Sequence, residues 1–176
     1  KEYRRQRQMC IRDSLYNVPG RTSVDMQPET VLRLSTHKNI VGIKEASGNK
    51  DRSLSLMKLC SKDIKIFTGD DKTSMSDISD GFSGNISVTA NVAPLEMHQM
   101  CQSALEGDIE NASKLNSNLD ILHDLLFCES NPIPVKWCLH KMGLIKKGIR
   151  LPLTWMDQKF DRPLTEGLIK SGIIDE

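Results

Sequence analysis

Between residues 28 and 89 the sequence alternates between short apolar segments and longer segments with apolar residues at helical spacing. Short runs rich in β-branched residues and bounded by turn residues are typical of buried strands. The predicted strands are residues 39–43, 64–67 and 86–89. The predicted helices cover about residues 28–37, 50–61 and 72–80. This alternation indicates βα units and a parallel sheet, so the predicted fold class is α/β.

After Pro94 only helices are predicted, and Gly107 separates the first two of them. The first covers about residues 95–106, and the second follows Gly107 and runs to about residue 127. The third and fourth cover about residues 135–142 and 164–170. In the second helix leucines recur at helical spacing, which predicts a buried stripe. The stripe consists of Leu115, Leu119, Leu122 and Leu126. The chain is therefore predicted to have a βα part followed by a helical part.

Opposite charges nearly balance, with 24 Lys and Arg residues against 23 Asp and Glu residues. This balance provides no large positive field, so neither nucleic acid nor an anionic membrane is predicted as a partner. The sequence also lacks a run of about 20 apolar residues, the length that spans a bilayer. Five cysteines without a C-x-x-C pair argue against a disulfide framework and a zinc site. A reducing, cytoplasmic setting is predicted.

Lys44 is predicted to lie at or near the C-terminal tip of the strand that begins at residue 39, where the apolar run gives way to a glycine-containing loop. Active groups of α/β sheets and barrels collect at the carboxyl ends of strands. Burial disfavours the charged form of a lysine there, and the neutral amine can attack a carbonyl to form a Schiff base. The alternative is a surface lysine that points to solvent and pairs with Glu45 or Asp70.

The segment YNVPGRT, residues 16–22, contains two further candidate groups. A hydrogen-bonded phenol such as that of Tyr16 can transfer protons, and the guanidinium of Arg21 can bind a carboxylate through two parallel hydrogen bonds. The alternative is a turn, with the tyrosine half buried and the arginine solvated. Asp70 and Asp71 likewise fit either an acid–base or metal-binding pair, or a cap of the following helix.

Taken together, several segments resemble the dihydrodipicolinate synthase family of pyruvate-dependent class I aldolases, which also contains the sialic acid lyases. The segments are, in order, YNVPGRT, GIKEASGN, TGDD, ISVTANV, NPIPVKW and RLPLT. The resemblance implies that residues 15–93 are the C-terminal part of a (β/α)8 TIM barrel and residues 94–176 a helical domain. Residues 1–14 do not match and are interpreted as a charged leader.

The resemblance also implies roles for individual residues. Lys44 matches the lysine that forms a Schiff base with pyruvate, and Tyr16 matches the tyrosine that donates and accepts protons. Arg21 matches the arginine that holds the carboxylate of the aldehyde substrate. Gly69 and Ile86 match positions whose backbone carbonyls line the pocket.

The implied reaction condenses pyruvate with L-aspartate 4-semialdehyde to give 4-hydroxy-tetrahydrodipicolinate for lysine and diaminopimelate biosynthesis. It needs no metal or organic cofactor, and the resemblance implies a cytoplasmic homotetramer. A related 2-keto acid aldolase of the sialic acid lyase type is the first alternative. Arg21 argues against it, because sialic acid lyases generally lack an arginine there. The second alternative is an inactive fragment or assembly module, since a whole barrel needs about 250 residues.

Overall fold

The computed structural model describes residues 12–175. Residues 1–11, which make up most of the predicted leader 1–14, lie outside the described residues. Contacts divide the chain into two compact units, the first ending at Ile86 and the second beginning at Ser87. The predicted domain limits, 15–93 and 94–176, stay predictions.

The first unit contains a parallel sheet whose three strands are ordered as in the sequence. The strands are β1 (Asp13–Asn17), β2 (Ile40–Glu45) and β3 (Lys65–Thr68). The helices are α1 (Pro19–Thr22), α2 (Pro28–Ser35), α3 (Lys50–Cys60) and α4 (Ser74–Ser79). The α/β class is therefore confirmed, and the first two predicted strands lie within two residues of the observed limits. Lys44 is the penultimate residue of β2, which confirms its predicted place at the carboxyl end of this strand.

The two sides of this sheet differ in what covers them. Ile43 and Ile66 pair across β2 and β3 and are fully buried. Helices α2, α3 and α4 contact these strands. Side chains alternate along a strand, so Tyr16, Lys44 and Phe67, which share a register position, lie on the opposite side. That side remains accessible, and Tyr16 is 50% exposed.

The predicted strand 86–89 is wrong. The chain makes one isolated parallel bridge, between Thr68 and Asn85, and the Ile86 N–H donates to the Thr68 carbonyl at 2.9 Å. Strand β3 ends at Thr68, so it offers no further residue for pairing. The next element is a single turn of 3₁₀ helix, Thr89–Asn91. The local β-branched composition was typical of a strand, but the neighbouring strand is too short to extend the ladder.

The second unit is helical, as predicted. Its helices are α5 (Pro94–Glu106), α6 (Ile109–Leu125), α7 (Ile133–Lys141) and α8 (Asp161–Lys170), with a 3₁₀ turn at Gln158–Phe160. Gly107 ends α5 in the left-handed conformation that glycine adopts without strain. The predicted leucine stripe is buried at Leu119, Leu122 and Leu126 and half-buried at Leu115. Across residues 12–175, no helix has the length and apolar character needed to cross a membrane.

Candidate active site

Tyr16 and Lys44 lie side by side at the carboxyl ends of β1 and β2. They are paired in the parallel register, and the Lys44 Nζ lies 4.7 Å from the centre of the Tyr16 ring. Paired residues of neighbouring strands point to the same side of a sheet, which explains why these two side chains meet. An ammonium over an aromatic face is attracted by the ring, so the tyrosine holds the end of the lysine in place.

Gly69 packs against the aliphatic stem of Lys44. A methyl group built on Gly69 would overlap Lys44 Cε and would lie 2.8 Å from the Ala46 side chain. The Gly69 N–H also donates to the Glu45 carbonyl at 2.6 Å, which holds the loop after β3 against the tip of β2. The absence of a side chain at Gly69 thus leaves room for the extended lysine.

Burial lowers the pKa of Lys44, and the negative charge of Asp71 opposes that shift. Asp71 is only 2% exposed, and one of its carboxylate oxygens accepts a hydrogen bond from the Asn85 amide at 2.8 Å. A lowered pKa increases the fraction of neutral amine, which is the nucleophilic form. Lys44 therefore combines a partly desolvated amine with a side of the sheet that residues 12–175 leave accessible.

The alternative in which Lys44 pairs with Glu45 or Asp70 is wrong. The Glu45 side chain points to the buried side of the sheet and accepts the Ser47 N–H at 2.8 Å. One Asp70 oxygen accepts the Lys72 N–H at 2.9 Å, which stabilises a turn. Within residues 12–175 neither carboxylate forms an ion pair with Lys44.

The aspartate pair does not cap the next helix. Asp70 stabilises the turn that precedes α4, whereas the N-cap position belongs to Thr73. Asp71 is buried beside Asn85, so the two aspartates have different environments. In the part of the chain that the structure describes, no group of three His, Cys, Asp or Glu side chains is arranged to hold a metal ion.

Arg21 and Ile86 are less closely tied to Lys44 than Tyr16 and Gly69 are. Arg21 lies on the exposed turn α1, and none of its contacts with residues 12–175 reaches Lys44. The Ile86 backbone lies beside the end of β3, and its side chain is 44% exposed. The structure thus brings Tyr16, Lys44 and Gly69 together and leaves Arg21 in solvent on the same end of the sheet.

Sequence reasoning missed a buried polar pair beneath these residues. Asn17 and Glu45 follow Tyr16 and Lys44 directly, and they are 2% and 3% exposed. The Asn17 amide donates to the Glu45 carboxylate at 3.0 Å. The available signal was the alternation in β2, which places Glu45 on the same side as the core residue Ile43. A buried carboxylate at such a position requires a hydrogen-bond donor.

The sequence model that describes the dihydrodipicolinate synthetase family matches residues 11–170. The chain belongs to this family. It is 54% identical to the 4-hydroxy-tetrahydrodipicolinate synthase of Thioalkalivibrio sulfidiphilus over 159 residues. These aligned residues are 90% of this chain and 54% of that protein. It is 51% identical over 166 residues to the synthase of Pseudomonas aeruginosa, covering 94% of this chain and 57% of that protein.

Solved structures of this family superpose closely on the chain. Dihydrodipicolinate synthase from Acinetobacter baumannii, complexed with pyruvate, matches with a TM-score of 0.90 at 48% identity, covering 92% of this chain and 55% of that chain. The enzyme from Thermotoga maritima matches with a TM-score of 0.88 at 38% identity, and the match covers 92% of this chain and 56% of that chain. The chain thus spans about half the length of the family members it matches.

Proposed function

We propose that this chain carries the Schiff-base lysine of a 4-hydroxy-tetrahydrodipicolinate synthase, and that Lys44 is this lysine. The observation that carries the proposal is the position of its amine, 4.7 Å from the Tyr16 ring at the open end of the sheet, with a pKa lowered by burial. Identities of 54% and 51% to two synthases over at least 90% of the chain support the same activity.

The first half of the proposed reaction forms an enamine on Lys44. Its neutral amine attacks the keto carbon of pyruvate, and loss of water gives an imine. The protonated imine withdraws electrons, so the methyl carbon of pyruvate loses a proton and becomes nucleophilic. The Tyr16 phenol supplies and removes the protons of these steps. Since the imine is the electron sink, the proposal includes no metal and no organic cofactor.

The second half uses the enamine as a nucleophile. Its carbon attacks the aldehyde carbon of L-aspartate 4-semialdehyde, and the new alkoxide takes up a proton. The amine of that substrate then attacks the imine carbon, closes the ring and releases Lys44. In this proposal Arg21 binds the carboxylate of the aldehyde substrate, and the backbone carbonyls of Gly69 and Ile86 line the pocket. The product, 4-hydroxy-tetrahydrodipicolinate, serves lysine and diaminopimelate biosynthesis.

We further propose that residues 15–93 form the C-terminal part of a (β/α)8 TIM barrel and residues 94–176 a C-terminal helical domain. The parallel strand order and the uncovered side of the sheet at Tyr16 and Lys44 support a barrel interior on that side. A cytoplasmic homotetramer belongs to the same proposal. Gel filtration with light scattering tests the oligomeric state.

Borohydride reduction in the presence of pyruvate tests the activity of Lys44. We expect a covalent adduct with the mass of a reduced pyruvate imine, located on Lys44 by peptide mapping. Lys44→Ala should abolish the adduct. Lys65→Ala is the matched control, because Lys65 lies on the same side of the sheet and is exposed. The control should form the adduct at the unaltered rate.

The outcomes separate the three functions that the sequence allows. No adduct on Lys44 means that the chain is catalytically inactive. An adduct that L-aspartate 4-semialdehyde does not consume indicates an aldolase with another substrate. An adduct that the aldehyde consumes, with release of the cyclic product, establishes the synthase reaction.

A further inference from the structure

A hydrogen-bond network lies directly beneath the candidate site, and the buried residue Asn17 is at its centre. The Asn17 Nδ2 donates to Glu45 at 3.0 Å and to Asp25 at 3.0 Å. Its Oδ1 accepts the Met26 N–H at 3.0 Å. The side-chain amide of Asn17 therefore uses both N–H groups and its carbonyl oxygen while it is 2% exposed.

The bond between Asn17 and Glu45 joins two strands that each bear a candidate site residue. Asn17 follows Tyr16 on β1, and its partner Glu45 follows Lys44 on β2. The backbone joins the same two strand ends, because the Ala46 N–H donates to the Asn17 carbonyl at 2.9 Å. The network thus connects the two strand ends that carry the phenol and the amine.

The bonds to Asp25 and Met26 connect the same amide to the segment that follows α1. This segment comes four residues after Arg21 in the chain. Arg52 of α3 holds it from the other side, since its guanidinium pairs with Asp25 and donates to the Met26 carbonyl at 2.6 Å. The segment that contains Asp25 and Met26 is thus bonded to the sheet through Asn17 and to helix α3 through Arg52.

We propose that Asn17 is a positioning residue that sets the separation of Lys44 and Tyr16 and anchors the segment that follows Arg21. This inference rests on the proposed function. Two carboxylates face the Asn17 side chain, those of Glu45 and Asp25, so the position requires a group with two hydrogen-bond donors. An asparagine amide provides two donors and one acceptor. A carboxylate at this position would lie within hydrogen-bond distance of both of these carboxylates, and the like charges would repel.

Two substitutions, Asn17→Asp and Asn17→Ser, test this role. The first replaces the two amide donors by a negative charge, and the second leaves a single hydroxyl donor on a shorter side chain without adding charge. Asn49→Asp is the matched control, because it adds the same charge in the loop after β2 while preserving the N-cap bond to the Arg52 N–H. We expect both Asn17 variants to slow borohydride-trapped imine formation on Lys44 by about ten- to hundredfold. The control should retain the parent rate.

A second measurement needs no pyruvate. The pH dependence of Lys44 acetylation by acetic anhydride, followed by peptide mapping, reports the pKa of this amine. Displacement of Lys44 into solvent should move its profile to higher pH in both Asn17 variants, and Asn49→Asp shows how much added charge alone contributes. Glu45→Gln combined with Asn17→Asp restores a donor–acceptor pair between these two positions, so part of the lost trapping rate should return.

The two measurements distinguish the possible failures. If the parent chain forms no imine, the proposed function is overturned, and the acetylation profiles still test the placement of Lys44. If the parent forms the imine and the Asn17 variants match it in rate and in profile, the positioning role is overturned. Circular dichroism and the thermal transition of each variant confirm that a fold is present before either comparison is made.

Discussion

Gly69 lies so close to Lys44 that a single added methyl group would overlap with Lys44 Cε. The two residues belong to neighbouring segments of the sheet, one at the end of β2 and one just after β3. The Gly69 N–H also donates to the Glu45 carbonyl, so the loop cannot move away without breaking a backbone bond. The close approach of the Gly69 backbone thus limits the positions that the Lys44 side chain can take.

Gly69→Ala should therefore displace Lys44. We expect the rate of borohydride-trapped pyruvate adduct formation to fall about tenfold or more, because small misplacements of a reacting group have large effects on rate. Gly20→Ala is the matched control, since a methyl group at Gly20 would meet no atom within 4 Å. Equal trapping rates in Gly69→Ala and the parent chain would contradict the packing described for Lys44.

Asp71 should control the pH dependence of imine formation. Attack requires the neutral amine, so the rate should rise with pH and reach half its maximum below the ordinary lysine pKa of about 10.4. The charge of Asp71 raises the pKa of Lys44 against the larger effect of burial. Asp71→Asn removes that charge, so the midpoint should move to lower pH.

The pH profile of adduct formation measures this midpoint, and Asp70→Asn provides the control from the adjacent position. Asp70 bonds to the Lys72 backbone, and its charge is not among the causes of the Lys44 shift. The profile of Asp70→Asn should therefore match the parent. A shift of the Asp71→Asn profile to higher pH would contradict the assigned electrostatic role.

Local sequence patterns predicted most of the elements but not the geometry of the site. Short β-branched runs around Ile43 and Ile66 identified β2 and β3, and the helical spacing of the leucine stripe identified α6. The proximity of Tyr16 and Lys44 depends on the parallel register of β1 and β2. Register joins residues 28 positions apart, and neither segment contains that information by itself.

Two further features could not be predicted from the local sequence. Ile86 begins a segment with strand composition, yet pairing ends there because the neighbouring strand stops at Thr68. In the turn alternative for residues 16–22, Asn17 counts as a turn former together with Pro19 and Gly20. Its buried amide instead bonds to a carboxylate on the next strand, and such a partner is known only once the strands are placed.

Arg21 should act on the second substrate only. Arg21→Ala should form the pyruvate adduct at the parent rate, because Arg21 lies on the exposed turn α1 and does not contact Lys44. The variant should need about ten- to hundredfold more L-aspartate 4-semialdehyde to consume the adduct, since a hydrogen bond to a charged group contributes about 1.5–3 kcal/mol. Arg33→Ala, on the exposed side of α2, is the control.

Titration of the trapped adduct with the aldehyde measures both quantities in one experiment. The amount of adduct without aldehyde reports the first step, and the concentration that halves it reports binding of the second substrate. Loss of the adduct itself in Arg21→Ala would assign Arg21 to the pyruvate step instead. An unchanged half-concentration would remove Arg21 from the proposed site.

Leu119 should contribute strongly to the stability of the helical unit. It is fully buried in α6, so Leu119→Ala should lower the free energy of unfolding by about 2–5 kcal/mol through lost burial and the cavity that remains. Leu95→Ala removes an equal volume from an exposed position on α5 and should change stability by no more than about 0.5 kcal/mol.

Tryptophan fluorescence during urea unfolding measures this effect selectively. The chain has two tryptophans, Trp137 and Trp155, and both lie in the second unit. Trp137 is buried, so unfolding of this unit changes its environment. The midpoint of the fluorescence transition should fall in Leu119→Ala and stay in place in Leu95→Ala. A similar shift in both variants would mean that the leucine stripe of α6 is not the core of this unit.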